Sequence, residues 1–230
     1  MSIPRVCHHV WLGKSELPPK FRAWRQRFID MNPSWTFRMW TDDNSPPILN
    51  QEAWGASLAI GGTPGCVLRS DILRLEVLAR FGGVYLDTDV KPVQPLDSFC
   101  DVPAWVACEQ RDIISNAAMG LPRNHPASWH AVIAIRDSFF KQRYVGNQAG
   151  PGLVRQIFPL YDDIVLYPPA YFHPSVGEVF RNPEARTLLK AAHVFSGTWL
   201  DENKVKYPDM WAANASSRTP SLIAGPPVLP

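Results

Sequence analysis

The chain is 230 residues long, with 46% hydrophobic residues, 19% charged residues and a net charge of +2. That length and apolar content support one domain with a sizeable core and exclude a disordered chain, and so small a charge gives no ground for a nucleic-acid or acidic partner. No stretch of 18 apolar residues occurs, and the first residues lack a charged-then-apolar leader, so a cytoplasmic protein is expected, peripheral to a membrane only through what it binds.

In chain order, the apolar run over 5–12 predicts a strand, followed by a helix over 18–30, a strand over 35–41 and a helix over 48–59. A longer helix is expected over 65–81, where Leu68, Ile72, Leu75 and Ala79 recur at helical spacing on the core side. Pro64 and Gly65 suit its start, and Gly82 suits the left-handed residue that ends a helix. Val84, Tyr85 and Leu86 then begin a short strand over 84–88. Strands follow near 104–109 and 114–120, then a helix from Pro126 to Lys141, the loop YVGNQAGPG, a helix near 152–158 and the segment IVLYPPAYFHP. Strand–helix alternation predicts an α/β protein whose central sheet is flanked by helices. Residues 1–215 are expected to form one domain, and the Pro/Ser-rich stretch 216–230 a mobile tail.

Tryptophan is abundant, with nine in the chain. Trp24, Trp35, Trp40, Trp54, Trp105 and Trp129 sit in periodic segments and are expected in the core rather than against a ligand. His8 and His9 are adjacent, so on a strand they face opposite ways and do not share a metal. The cysteines, Cys7, Cys66, Cys100 and Cys108, have neither metal nor redox spacing and are expected as free thiols.

The chemistry concentrates in residues 69–93, RSDILRLEVLARFGGVYLDTDVKPV. Asp71 and Arg74, three apart on the long helix, occupy neighbouring positions on one flank. Asp87 and Asp89 end the strand that follows. If the chain stays extended through Thr88, Tyr85, Asp87 and Asp89 share a face; if it turns there, the two carboxylates splay around a common ligand. Two acids at the end of an apolar strand repel each other and are costly to desolvate without a cation. Hard oxygen ligands suit Mg²⁺ or Mn²⁺, completed by phosphate oxygens and water. Against this stands the plainer alternative of polar strand-end residues beside a surface ion pair. An Asp-nucleophile phosphotransferase is a further alternative, disfavoured because Lys91–Pro92 follow the acids and Trp11, Asp71 and Arg74 would then have no role. Trp11, Asp42 and the Asp87/Asp89 pair all fall at predicted carboxyl ends of strands, where ligands of open α/β sheets bind.

The string SDILRLEVLARFGGVYLDTDV resembles the signature of the DXD-containing sugar transferases (glycosyltransferase family 32-like), which include capsular-polysaccharide transferases, fungal initiating α-mannosyltransferases and glucosylating toxin domains. IPRVCHHVWLG, NPSWTFRMWTDDN, ISNAAMGLPRNHP and AAHVFSGTW resemble further segments of that family in the same order. The resemblance implies a GT-A-type, single Rossmann-like domain and retaining transfer of a hexose from a nucleotide-diphosphate sugar (UDP-hexose or GDP-mannose) with Mn²⁺ or Mg²⁺. The acceptor it implies is a hydroxyl on a glycan, a glycolipid or a protein, with a nucleic-acid acceptor left open.

By the same resemblance Trp11 stacks on the base, with Val10 and Gly13 shaping its pocket. Asp71 and Arg74 bind sugar and ribose hydroxyls, Tyr85 helps hold the donor, Asp87 contacts donor hydroxyls and metal-bound water, and Asp89 ligates the metal. Asn116 faces the reacting sugar; His193, Ser196 and Trp199 close over the diphosphate, with His193 a further metal or phosphate ligand. His9 is expected to be structural, and Gly150–Pro151 to precede a helix on the acceptor side. A noncatalytic nucleotide-sugar or glycan-binding module with the same residues is the alternative to an enzyme.

Overall fold

The computed structural model describes residues 2–110, 113–142, 145–173 and 187–194. Its elements in chain order are β1 (Val6–Val10), α1 (Pro19–Met31), β2 (Thr36–Trp40), α2 (Gln51–Ile60), α3 (Gly62–Phe81), β3 (Gly83–Leu86), β4 (Val90–Pro92), β5 (Ala104–Gln110) and β6 (Ile113–Leu121). They continue with α4 (Pro126–Lys141), α5 (Val145–Gln148), α6 (Pro151–Ile157), β7 (Ile164–Tyr167), α7 (Pro169–Phe172) and β8 (Ala191–His193). Six strands form a mixed sheet in the order β2-β1-β3-β6-β5-β7. β1 pairs in parallel with both β2 and β3, whereas β6 runs antiparallel to β3 and β5. Because β2 and β3 lie on opposite sides of β1, the carboxyl ends of β1 and β3 border the crevice where such sheets bind ligands. Trp11 and Asp87 are the first residues beyond those two ends.

Each sheet face carries its own core. From β3, Val84 and Leu86 join Phe28, Phe99, Trp105 and Phe172 on one side, while Tyr85 joins Ile72, Leu75, Ala131 and Ile135 on the other. The period of two in the strand is what divides them. Helix α3 is buried nearly all round: Arg69, Asp71, Arg74 and Glu76 are buried along with its leucines. Charges there must be paired internally.

Glu76, fully buried, shows how. It accepts from the backbone N–H groups of Leu49 and Asn50 at 2.8 and 2.9 Å, from Asn50 Nδ2 at 3.0 Å, and from Arg80 Nη2 at 2.8 Å. One carboxylate thereby fixes the start of α2 against α3.

Gly82 and Gly83 carry positive φ angles of 63° and 101°. A side chain at Gly82 would collide with the backbone of Arg123, and one at Gly83 with the carbonyl of Val6. The pair is therefore required both for the turn and for the close approach of β3 to β1. The strand itself stops at Leu86. Asp87 N–H donates to Ala117 O at 2.8 Å and Val90 N–H to Asp87 O at 3.1 Å, so the chain turns at Thr88. Of the two geometries left open by the sequence, the splayed one is realised.

Other boundaries also moved. α3 begins at Gly62, three residues before the expected start, and α5 lies within the expected loop. β4 and β8 were not anticipated; they form a separate two-stranded sheet in which Val90 opposes His193. Three-residue strands are too short for periodicity to reveal. The expected tail, 216–230, and the boundary at 215 lie outside the described residues.

His8 and His9 lie on opposite faces of β1, both buried. Trp40 Nε1 donates to His8 Nδ1 at 3.1 Å, so His8 Nε2–H is the atom that donates to Gly82 O at 2.8 Å. His9 Nδ1–H donates to Leu86 O at 2.9 Å. Both are structural. Burial pushes each imidazole down to about 4. Below about pH 6.5 the unfolded chain takes up protons that these two rings refuse when folded, so stability present at neutral pH is lost as pH falls towards 4.

Two outcomes follow for urea unfolding. Lowering the pH from 7 to 5 should reduce stability by about 2 kcal/mol per histidine, and His9→Asn, which keeps a donor for Leu86 O, should remove roughly half of the combined loss. Glu76→Ala at neutral pH should destabilise by about 3–5 kcal/mol, the effect of removing one partner from a buried charge network.

Candidate active site

The centre of the site is the Arg74 guanidinium. Its Nη2 lies 3.1 Å from Asp71 Oδ1, and its Nη1 lies 3.2 Å from Asp87 Oδ1 while donating to Asn116 O at 2.9 Å. The group also lies over the Tyr85 ring, 4.7 Å from its centroid. Tyr85 OH donates to Asp87 Oδ1 at 2.7 Å, and Asn116 Nδ2 donates to Asp71 Oδ1 at 2.9 Å. Helix α3 therefore reaches β3 and β6 through one cation holding two carboxylates. With Asp71 and Arg74 both 7% exposed, this is not the surface ion pair of the plainer alternative.

The protonation states follow from burial and charge. Burial raises Asp71 above the usual carboxylate range, although Arg74 and Asn116 pull it down. Burial works against the Arg74 charge, but Asp87, Tyr85, Asp71 and Asp89 outweigh it and hold the guanidinium protonated. Burial also takes the Tyr85 phenol well above its ordinary range, which keeps it a neutral donor to Asp87.

Asp87, Asp89 and His193 form a second cluster beside the first, offering ligand atoms that all lie within 4.8 Å of one another. The β4–β8 pairing brings His193 there, with Val194 N–H donating to Asp89 O at 3.3 Å. His193 Nε2 is 3.1 Å from Asp89 Oδ1, and its Nδ1 is 3.2 Å from Nδ1 of His173. Burial opposes charge on His193, yet the hydrogen bond to Asp89 and the fields of Asp87, Asp89 and Glu109 raise it overall. Burial raises Glu109 in turn, with His193 acting against the shift. Two carboxylates and an imidazole suit a divalent metal, and the mutual spacing of their ligand atoms allows all three to hold one ion.

Towards β1, Trp11 is half-buried; its Nε1 donates to Ser15 O at 2.7 Å and its ring meets Phe21 edge-on. Val10 packs in the core with Leu12. Gly13, at φ 96°, donates its N–H to Asp42 Oδ2 at 2.6 Å, and Asp42 is ion-paired with Arg69 of α3. Burial would raise the Asp42 carboxyl, but the Gly13 N–H and Arg69 bring it below its ordinary value. The Arg69 guanidinium also lies over the Trp54 ring, 5.2 Å from its centroid. On another side, a side chain at Gly150 would meet Asp71 Oδ2 at 2.8 Å, so the glycine lets the start of α6 pass close to that carboxylate.

The fold thus gathers Asp71, Arg74, Tyr85, Asp87 and Asn116 in one network and Asp87, Asp89 and His193 in the adjoining one. Trp11 and Gly13 belong to the loop tied to Asp42, and Ser196 and Trp199 lie outside the described residues. Sequence reasoning missed Arg69 and His173. Arg69 directly precedes Ser70–Asp71, which was a usable signal; His173 follows a short aromatic segment with none.

Residues 18–106 match the glycosyltransferase sugar-binding region containing the DXD motif. The chain carries a DXD-type sugar-transferase region. The chain is 30% identical over 125 residues to inositol phosphoceramide mannosyltransferase 3 of Schizosaccharomyces pombe, covering 54% of this chain and 35% of that protein. It is 29% identical over 124 residues to mannosyl phosphorylinositol ceramide synthase CSH1 of Saccharomyces cerevisiae, covering 54% and 33%. The match spans about a third of the length of these relatives. Among solved structures, the PaToxG glycosyltransferase superposes with a TM-score of 0.61 at 16% identity, over 69% of this chain and 70% of that one. The glycosyltransferase GlyE of Streptococcus pneumoniae superposes with a TM-score of 0.53 at 9% identity, over 94% and 61%. The DXD region is thus set in the expected α/β, GT-A-type fold. No helix among the described residues is long and apolar enough to cross a membrane.

Arg74→Met should leave buried Asp71 and half-buried Asp87 without their cation and lower unfolding free energy by about 3–5 kcal/mol at pH 7. The deficit should shrink towards pH 4 as Asp71, whose carboxyl burial raises, becomes protonated, which urea titrations at the two pH values would read.

Proposed function

We propose that this chain is a metal-dependent, retaining glycosyltransferase that moves a hexose from a nucleotide-diphosphate sugar to an acceptor hydroxyl on a glycan or glycolipid. The observation that carries this reading is the adjacency of the two networks: Asp71, Arg74 and Asn116 on one side of Asp87, and Asp89 with His193 on the other. A sugar and the diphosphate it leaves need these two environments side by side. Asp71 accepts from donor hydroxyls, and Arg74 holds Asp71 and Asp87 at fixed separation, so little reorganisation is needed when the donor arrives. Tyr85 orients Asp87 through its phenolic proton.

Asp87, Asp89 and His193 would hold Mn²⁺ in preference to Mg²⁺, since imidazole is a poor ligand for an ion that favours oxygen and water. The bound ion supplies Lewis-acid stabilisation to the departing diphosphate. Trp11 provides a face for the base, and Gly13, fixed by Asp42, shapes the loop beside it. Asp71 and Asp87 are both tied to a guanidinium, which lowers their nucleophilicity and disfavours a covalent glycosyl intermediate on either. Retention then proceeds by entry of the acceptor hydroxyl on the face that the diphosphate leaves. Of the donors, GDP-mannose is favoured over UDP-hexose by the mannosyl transfer named in the matched relatives, and a glycolipid is favoured as acceptor by their ceramide substrates.

A donor screen tests this reading. With Mn²⁺ present, one nucleotide sugar should be slowly hydrolysed and should raise the melting temperature; Asp89→Ala should reduce nucleotide release by at least about 100-fold while the protein remains folded. Metal-independent release, or equal release by the variant, would rule out the metal-dependent mechanism.

A further inference from the structure

We propose that His173 is a positioning residue for this site: its Nδ1 accepts the Nδ1 proton of His193 and so presents His193 Nε2 to the cation. This rests on the metal reading above and goes beyond it by naming a residue outside the ligand set. The two Nδ1 atoms are 3.2 Å apart, and the rings meet edge-on, with planes at 80°. At that distance the nitrogens share one proton, so one ring donates and the other accepts. His193 Nε2 lies on the side of Asp89, at 3.1 Å. To give that atom's lone pair to a metal, neutral His193 must carry its proton on Nδ1, and a proton-bearing nitrogen in a buried site needs an acceptor. His173 Nδ1 is placed to be that acceptor.

The position of His173 is set by the core and not by a ligand. His173 is 3% exposed, and its backbone N–H donates to Pro169 O at 2.7 Å, closing α7. Phe172 of the same turn stacks on Trp105, with centroids 5.0 Å apart and planes at 9°. Lys190 N–H donates to Tyr171 O at 3.0 Å, linking α7 to the strand that carries His193.

Mn²⁺ affinity and imidazole ¹⁵N shifts together test the assignment on the full chain. Mn²⁺ alone should bind wild type, and Asp89→Ala should abolish binding; failure of either would remove the metal site itself. If both hold, His173→Phe should weaken Mn²⁺ binding about 10–100-fold, the range seen for lost outer partners of metal ligands. His173→Asn, which offers an oxygen acceptor, should recover most of that loss. His173→Phe binding within twofold of wild type, or a folded His173→Asn as weak as His173→Phe, would overturn the assignment. The ¹⁵N spectrum of Cd²⁺-loaded wild type decides the matter without any variant: a protonated Nδ1 and metal-bound Nε2 on His193 are expected, and the reverse arrangement overturns the proposal.

Discussion

A single guanidinium, that of Arg74, makes the rest of this site possible. Asp71 and Asp87 come from different elements; the first is buried and the second half-buried. Two carboxylates brought together in a low-dielectric setting repel each other. Arg74 offsets that repulsion by bonding to both, and the backbone carbonyl of Asn116 takes a further donor of the same Nη1 atom. The planar fork of the guanidinium suits this multiple duty in a way that a lysine ammonium does not. Because the cation is supplied by the helix, the carboxylates are held in place by the protein alone.

Helix α3 acts as the common support. Arg69 ties it to Asp42 and so to Gly13 in the loop beyond β1. Arg74 ties it to β3 and β6, and Glu76 ties it to the start of α2. Its charges lie among fully buried Ile72, Leu73, Leu75 and Leu78, so moving the helix would separate several buried ion pairs together. Such coupling makes the loop beyond β1 and the acid cluster parts of one rigid frame, which is the condition for electrostatic preorganisation.

The side of Asp89 and His193 is built differently. β4 and β8 are three residues each, and their pairing is supported by α7 and the aromatic cluster of Phe99, Trp105, Tyr167 and Phe172. The carboxylates come from the turn after β3 and the imidazoles from later segments. Asp89 is therefore flanked by Arg74's network through Asp87 and by the histidine pair through His193. Opposite polarities converge on the two acids from both sides.

Much of this was legible in the sequence because its determinants are local. The helical stripe through Leu68, Ile72, Leu75 and Ala79, the paired glycines and the Asp-x-Asp spacing act over a few residues, and each is governed by helix period, strand period or turn sterics. They announced an α/β sheet with an acidic pair at a strand end, and the motif resemblance extended that to a GT-A-type fold. Tertiary structure decided the rest. Whether Thr88 stayed extended depended on Ala117 O accepting from Asp87 N–H. That Asp71 and Arg74 are interior and not a surface pair depended on how α3 packs against the sheet and α4. His193 and His173 meet Asp89 only because β8 pairs with β4 and α7 packs on Trp105. Contacts between segments so far apart leave no periodic trace in either segment, since each is favourable only when the other is present.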